Sequence, residues 1–197
     1  MIISKMVSRW KRLTLFLRMA LISDGKKKAA YLKKIQYLGG GGQGENVYWQ
    51  PVKLPPEPEL IKLGNNVVIA SEVLFVTHDA INYMTNYLEK NKKYQLYLGA
   101  IEIGDNVFIG SRSMIMPNVK IANNIIVGAG SIITHDLKES GVYAGSPARK
   151  IGEFNQFLEK RWMSQPDLRK KEKRYRQVWD EFYEARNKKE CKEEKNV

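Results

Sequence analysis

The chain has 197 residues, 43% of them hydrophobic, which suits one packed domain with appendages and excludes a disordered chain. Its single cysteine, Cys191, sits in a charged tail, so neither a disulfide framework nor a cysteine zinc knuckle is available, and a reducing compartment fits. The net charge of +12 is uneven: residues 1–60 carry 11 Lys/Arg against 4 Asp/Glu, residues 61–152 carry 9 against 7, and residues 153–197 carry 13 against 10. A basic excess draws anions such as nucleic acid, anionic lipid or phosphorylated substrates. A nucleic-acid binder would cluster basic and aromatic residues on one face. Here the charge lies in the flanks, mixed with acids at the C-terminal end, so no nucleic-acid partner is expected.

Residues 1–37 form a basic segment that predicts helix. Trp10, Leu13, Phe16, Leu17 and Leu21 fall near helical spacing, with Lys5, Arg9, Lys11, Arg12 and Arg18 between them. No stretch reaches the run of about 18 apolar residues that a spanning helix needs, and Leu13 to Leu17 is too short for a signal-peptide core. A cytoplasmic location is expected. The segment either packs on the rest of the protein or a neighbouring copy, or lays residues 1–22 on an anionic membrane surface as a basic amphipathic helix. The run Gly39 to Gly42 reads only as a flexible entry into the repeat region.

From residue 38 to 152 the dominant feature is a period of six. Ile103, Ile109, Ile115, Ile121, Val127 and Ile133 hold one frame, and Val107, Ser113, Val119, Ile125 and Ser131 hold the position four further on. Gly104, Gly110, Ala122 and Gly128 follow the aliphatic residue, and upstream the frame continues through Leu63, Ile69 and Phe75. Six fits neither a helix nor an alternating hairpin strand. It fits a short extended segment, a corner and another extended segment. Three hexads then close a triangular coil, so that residues 18 apart stack: Ile103 on Ile121, Ile109 on Val127, Ile115 on Ile133. Coils stack at the strand spacing of about 4.8 Å. Asn65-Asn66, Asp105-Asn106 and Asn123-Asn124 occupy equivalent corners, where Asn and Asp tolerate left-handed backbone. The predicted fold class is an all-β solenoid with flanking N- and C-terminal α-helices. The period does not give its hand.

The frame ends at His78, before a 79–100 excursion, and excursions on rigid scaffolds are where sites collect. After Gly152 the pattern changes. Phe154, Phe157, Leu158 and Trp162 are at helical spacing, as are Leu168, Tyr175, Trp179 and Phe182 beyond Pro166. Residues 153–197 therefore predict two helices that cover an open coil end or dock on a neighbour, with a frayed charged end beyond Asn187.

Three elements in order, Thr77-His78-Asp79, Gly128-Ala129-Gly130-Ser131 and Ala144-Gly145-Ser146-Pro147-Ala148-Arg149, carry a resemblance over residues 38–152. The chain resembles the hexapeptide-repeat acetyltransferases, in particular O-acetyltransferases of capsule and exopolysaccharide synthesis and the galactoside and maltose acetyltransferases. The resemblance implies a left-handed parallel β-helix and a homotrimer with active sites in the clefts between subunits. It implies transfer of an acetyl group from acetyl-CoA to a sugar hydroxyl of a glycan or glycan precursor. N-acetylation of an amino sugar or nucleotide sugar is the close alternative, and a non-catalytic β-helix scaffold the distant one. Two departures stand out: Pro117-Asn118 where the family often has Pro-Gly, and Thr134-His135 where it often has Thr-Lys.

A hydroxyl is a poor nucleophile until its proton is removed, and imidazole is the usual base near neutral pH. Of the two histidines, His78 is the general-base candidate by the Thr-His-Asp match; His135, followed by Asp136, is the lesser one, near the CoA end. Asp79, Glu72 and Glu102 are alternatives for orienting His78, and Asp79, Glu72, Asn82 and Tyr83 are candidates for the acceptor. Tyr87, Tyr94 and Tyr97 in the same excursion suit stacking on sugars. By family match, Ser111, Ala129 and Thr134 lie along the pantetheine of CoA, with His135, Arg149 and Lys150 near its phosphates. A γ-carbonic anhydrase shares the fold but needs three zinc-binding histidines, which two cannot supply, so no metal is expected. A membrane-associated helix at residues 1–22 would suit a lipid-linked acceptor.

Overall fold

The structure is a computed structural model that describes residues 2–38, 42–89, 91–163, 175–184 and 186, with the backbone alone for residues 2–9, 11 and 12. Gly39 to Gly41, Pro166, Leu168 and Cys191 lie outside the described residues, as do the side chains of Lys5, Arg9, Lys11 and Arg12. The chain divides into two compact units, Met1–Asn155 and Gln156–Val197.

The first unit opens with two helices, α1 (Ile2–Leu21) and α2 (Gly25–Lys34). The Asp24 side chain caps α2 by accepting from the Lys27 N–H at 2.9 Å, the usual remedy for orphan amides at a helix start. Met19, Ala29 and Leu32 are buried in the main core, so both helices are fastened to it by one face. The opposite side of α1 leaves Trp10, Leu13, Leu17 and Leu21 exposed.

Short strands come next: β1 (Tyr48–Trp49), β2 (Ile61–Leu63), β3 (Val68–Ile69) and β4 (Leu74–Phe75) precede helix α3 (Ile81–Leu88). After it come β5 (Ile101–Ile103), β6 (Val107–Ile109), β7 (Met114–Ile115), β8 (Val119–Ile121), β9 (Ile125–Val127) and β10 (Ile132–Ile133). The terminal pair is β11 (Gly141–Ala144) and β12 (Arg149–Gly152). Consecutive strands up to β11 fall in different sheets. One sheet is β2-β5-β8, the second β1-β3-β6-β9-β11-β12, the third β4-β7-β10, and every pairing but β11 with β12 is parallel. The chain thus visits three faces in turn, and no strand pairs with its neighbour in sequence until β12.

The register follows the hexad frame. Ile103 pairs with Ile121, Ile109 with Val127 and Ile115 with Ile133, a step of 18. Leu63, Ile69 and Phe75 pair with Ile103, Ile109 and Ile115, a step of 40 that is one coil plus the excursion. All six aliphatic residues from Ile103 to Ile133 are at most 1% exposed, each contributing about 1.5–3 kcal/mol of burial. The small residues beside them are also enclosed. Ser113 and Ser131 are buried, and both hydroxyls donate to the Gly128 carbonyl, at 3.1 and 2.7 Å. A Cβ on Gly110 would lie 2.5 Å from the Ala129 nitrogen of the next coil, so that contact requires glycine.

One corner is a ladder of amides. Asn46, Asn66, Asn106 and Asn124 all have φ between +55° and +58°. Each side-chain NH₂ donates to the carbonyl oxygen of the next, at 3.0, 2.9 and 2.9 Å. Asparagine tolerates the left-handed region, and stacking pairs its amide with the equivalent amide of the next coil.

The uppermost coil departs from the frame. Gln43 bridges to Leu63 and Trp49 pairs with Ile69, so its step is 20. Trp49 is fully buried and stacks on Phe75 at 5.4 Å between centroids, closing the interior from that side. Pro51, Pro55, Pro56 and Pro58 deny the segment above β4 its ladder donors. It is held instead by the Tyr37 hydroxyl, which donates to the Pro55 carbonyl at 3.0 Å.

Helix α4 (Phe154–Met163), in the second unit from Gln156 onward, carries Phe157, Leu158 and Trp162. Residues 175–184 are helical, with the rings of Trp179, Phe182 and Tyr183 in mutual contact.

Candidate active site

His78 stands where the coil gives way to the excursion. The excursion leaves and returns as a narrow antiparallel pair: His78 bridges to Leu98, and the Gly99 N–H donates to the Thr77 carbonyl at 2.8 Å. Within the loop, the Asn86 side chain accepts from the Tyr94 N–H at 2.7 Å and donates to the Tyr94 carbonyl at 3.0 Å, while Asn118 donates to the Tyr97 hydroxyl at 2.6 Å. Loop and coil therefore fix the backbone of His78 from both sides.

The imidazole Nδ1 lies 2.8 Å from Glu57 Oε2. The same carboxylate oxygen accepts from the hydroxyl of Thr77, which is fully buried. A carboxylate only accepts, so Nδ1 carries a proton, and in the neutral ring Nε2 then presents its lone pair. Nε2 has no hydrogen-bond partner among the described residues, and the side chain is 36% exposed. An imidazole so held is able to accept a proton through Nε2.

The carboxylate against His78 is Glu57, whereas Asp79, Glu72 and Glu102 are engaged elsewhere. The Asp79 carboxylate accepts from the Ile81 N–H at 3.0 Å and forms the turn into α3. Glu72 is bound to Arg112 Nε at 2.7 Å. Glu102 faces Lys120 at 3.4 Å and Lys62 at 4.0 Å across the β2-β5-β8 sheet. Glu57 escaped the sequence reading because the hexad frame does not reach the proline-rich segment that carries it. The upper coil's step of 20, which brings Glu57 within reach of His78 21 residues on, shows only in the structure.

Of the other excursion residues, Tyr83 on α3 is 67% exposed, and Asn82 has a buried Oδ1 without a partner among the described residues. No residue of α3 is buried.

Farther along the coil, Ser111 and Ala129 stack one coil apart, with the Gly130 N–H donating to the Ser111 carbonyl at 2.8 Å. Thr134 Oγ1 lies 3.1 Å from His135 Nδ1, and Arg149 Nη1 lies 3.3 Å from His135 Nε2. A guanidinium only donates, so His135 Nε2 is an acceptor already in use. Asp136 does not partner His135; its carboxylate accepts from the Lys120 N–H at 2.9 Å. Lys150 meets Glu153 at 3.0 Å and Glu139 at 3.5 Å, and the Glu153 hydrogen bond holds its pKa above the ordinary lysine value. Among the described residues no group of three or more His, Cys, Asp or Glu could hold a metal.

Residues 100–135 match the family described as bacterial transferase hexapeptide (six repeats). Protein CapG of Staphylococcus aureus is 41% identical over 97 residues, which cover 48% of this chain and 54% of CapG. Galactoside O-acetyltransferase of Escherichia coli K12 is 42% identical over 96 residues, covering 48% of this chain and 45% of that enzyme. The crystal structure of the hexapeptide-repeat-containing acetyltransferase VCA0836 from Vibrio cholerae aligns with a TM-score of 0.54 at 20% identity, over 74% of this chain and 90% of that one. That likeness is one of fold. Residues 100–135 thus carry the hexapeptide repeat of the bacterial transferases. It spans about half the length of the curated relatives it matches.

Proposed function

We propose that the protein is an acetyl-CoA-dependent O-acetyltransferase acting on a sugar hydroxyl of a glycan or glycan precursor, with His78 as general base. The observation that carries this reading is the His78 imidazole held through Nδ1 by Glu57 with Nε2 left open. In direct transfer, Nε2 takes the hydroxyl proton as the acceptor oxygen attacks the thioester carbonyl carbon. A backbone N–H stabilises the oxyanion. The carbon–sulfur bond then breaks, and the proton passes from His78 to the departing thiolate. Glu57 stabilises the charged imidazole between these steps.

In the same reading the coil is left-handed, and residues 1–37, 38–152 and 153–197 are its basic helical segment, catalytic domain and helical extension. Ser111, Ala129 and Thr134 line the pantetheine cleft, where small side chains stacked one coil apart leave room for a stem. Arg149 is the better phosphate ligand of the terminal pair, because Lys150 is engaged by two carboxylates. The assembly is a homotrimer, supported by α3, which exposes Ile81, Met84 and Leu88 as a free-standing helix would not. The reading places the enzyme in the cytoplasm, with α1 in peripheral contact with an anionic membrane. This is supported by its exposed Trp10, Leu13 and Leu17 beside a strongly basic segment. No helix among the described residues is long and apolar enough to cross a membrane.

Thiol release from acetyl-CoA, with a panel of sugars and oligosaccharides, tests the reading in wild type and His78→Ala. A loss of about 10² or more in turnover supports it. Undiminished turnover in the variant removes His78 from the mechanism and promotes His135.

A further inference from the structure

The segment above β4 does not seal against it. A groove of about 380 Å³ lies between Lys53–Pro56 on one side and Val73–His78 on the other, with His78 in its lining. It adjoins a second groove of about 640 Å³ that shares Lys53, Val73 and Leu74 and is lined by Lys28. The prolines create this space: without backbone donors at Pro55 and Pro56 the segment stands off from the strand beneath.

The charged residues along the two grooves are Lys28, Lys53, His78 and one carboxylate, Glu72, which is paired with Arg112. Lys28 is only 3% exposed. Its ammonium donates to the Gln50 carbonyl at 2.8 Å and lies 3.5 Å from Gln50 Oε1, both neutral amide oxygens. An ammonium has three donors, and burying it without a counter-charge is costly; burial accordingly lowers its pKa. Lys53 is exposed at the junction of the grooves. Among the described residues neither lysine has a carboxylate within 4.0 Å. The nearby acids are committed elsewhere, Glu57 to Thr77 and His78, and Glu72 to Arg112. Glu59 lines a third groove that Lys53 also borders. The rest of the wall, Leu54, Pro55 and Pro56, is rigid and apolar, suited to the C–H face of a sugar ring.

We propose that this groove takes an anionic sugar, with its carboxylate or phosphate at Lys53 and Lys28 and a hydroxyl directed to His78. The inference rests on the acetyltransferase reading for the role of the hydroxyl, but its anion site stands on Lys28 and Lys53 alone. Salt screening would weaken the exposed Lys53 contact more than the buried Lys28 contact.

The test is binding in the absence of acetyl-CoA, so that it cannot fail merely because transfer fails. Inorganic phosphate, glucuronate and glucose are titrated against wild type, Lys53→Gln and Lys28→Met by calorimetry, with thermal denaturation confirming the fold. Saturable binding of phosphate or glucuronate but not glucose, weakened on the order of tenfold in Lys53→Gln, is the expected result. Preference between the two anions tells phosphate from carboxylate. Equal binding in wild type and both variants, or no anion binding by wild type, overturns the proposal while leaving the His78 reading standing. Lys53 is exposed, so its replacement keeps the test valid even if Lys28→Met does not fold. Anion binding without turnover on any sugar would separate the two claims in the other direction.

Discussion

Two stretches of the same coil behave differently. Between Ile103 and Ile133 the chain steps by 18, every inward residue is aliphatic or small, and each strand finds parallel partners. Between Gln43 and His78 the step lengthens to 20, four prolines interrupt the pairing, and two grooves open. The regular stretch has no titratable group in its interior. The irregular one holds Glu57 against His78 and buries Lys28. Uniform stacking yields stability but no room for a substrate. The candidate site lies where the upper coil departs from the pattern and prolines remove its donors.

Substitutions can break or sharpen that contrast. The largest effect on function is expected from His78→Ala, at about 10² or more in turnover with an unchanged denaturation midpoint, since the side chain is partly exposed and contributes little packing. A lowered midpoint equal to that of a core variant would assign His78 to the scaffold instead. The largest effect on stability belongs to the regular stretch. Ile109→Ala removes a fully buried side chain stacked between Ile69 and Val127 and should cost about 2–5 kcal/mol in denaturant unfolding. A loss below about 1 kcal/mol would mean that the coils collapse into the gap.

Glu57→Gln separates orientation from binding. It keeps the shape beside Thr77 and an oxygen for Nδ1 but removes the charge that stabilises the imidazolium. We expect kcat to fall by about tenfold or more with KM little changed. A rise in KM alone would make Glu57 an acceptor contact. At the corners the effects are smaller. Asn106→Gly keeps the left-handed backbone but deletes two ladder bonds, costing about 1 kcal/mol. Asn106→Ala should cost about 1–2 kcal/mol more, because alanine also resists the positive φ. Equal costs for the two would assign the whole effect to the amide ladder.

The aliphatic ladder, its 18-residue stacking, the asparagine corners and the halt at His78 were legible in the sequence. Each is a local choice repeated at a fixed interval, and parallel stacking turns a repeated choice into a register. His135 was legible as a residue but not in its state: only the approach of Arg149 from 14 residues away shows its Nε2 already occupied. Asp79 looked like a partner for His78 because it is adjacent, yet adjacent side chains in extended chain point apart. Its carboxylate instead starts α3. The sequence by itself determined the scaffold and the break in its frame at His78. Tertiary structure decided which carboxylate meets His78 and that the Lys28 ammonium is buried against the Gln50 carbonyl. Those pairings join residues 21 or more apart across an irregular step, and no periodicity in the chain encodes that step.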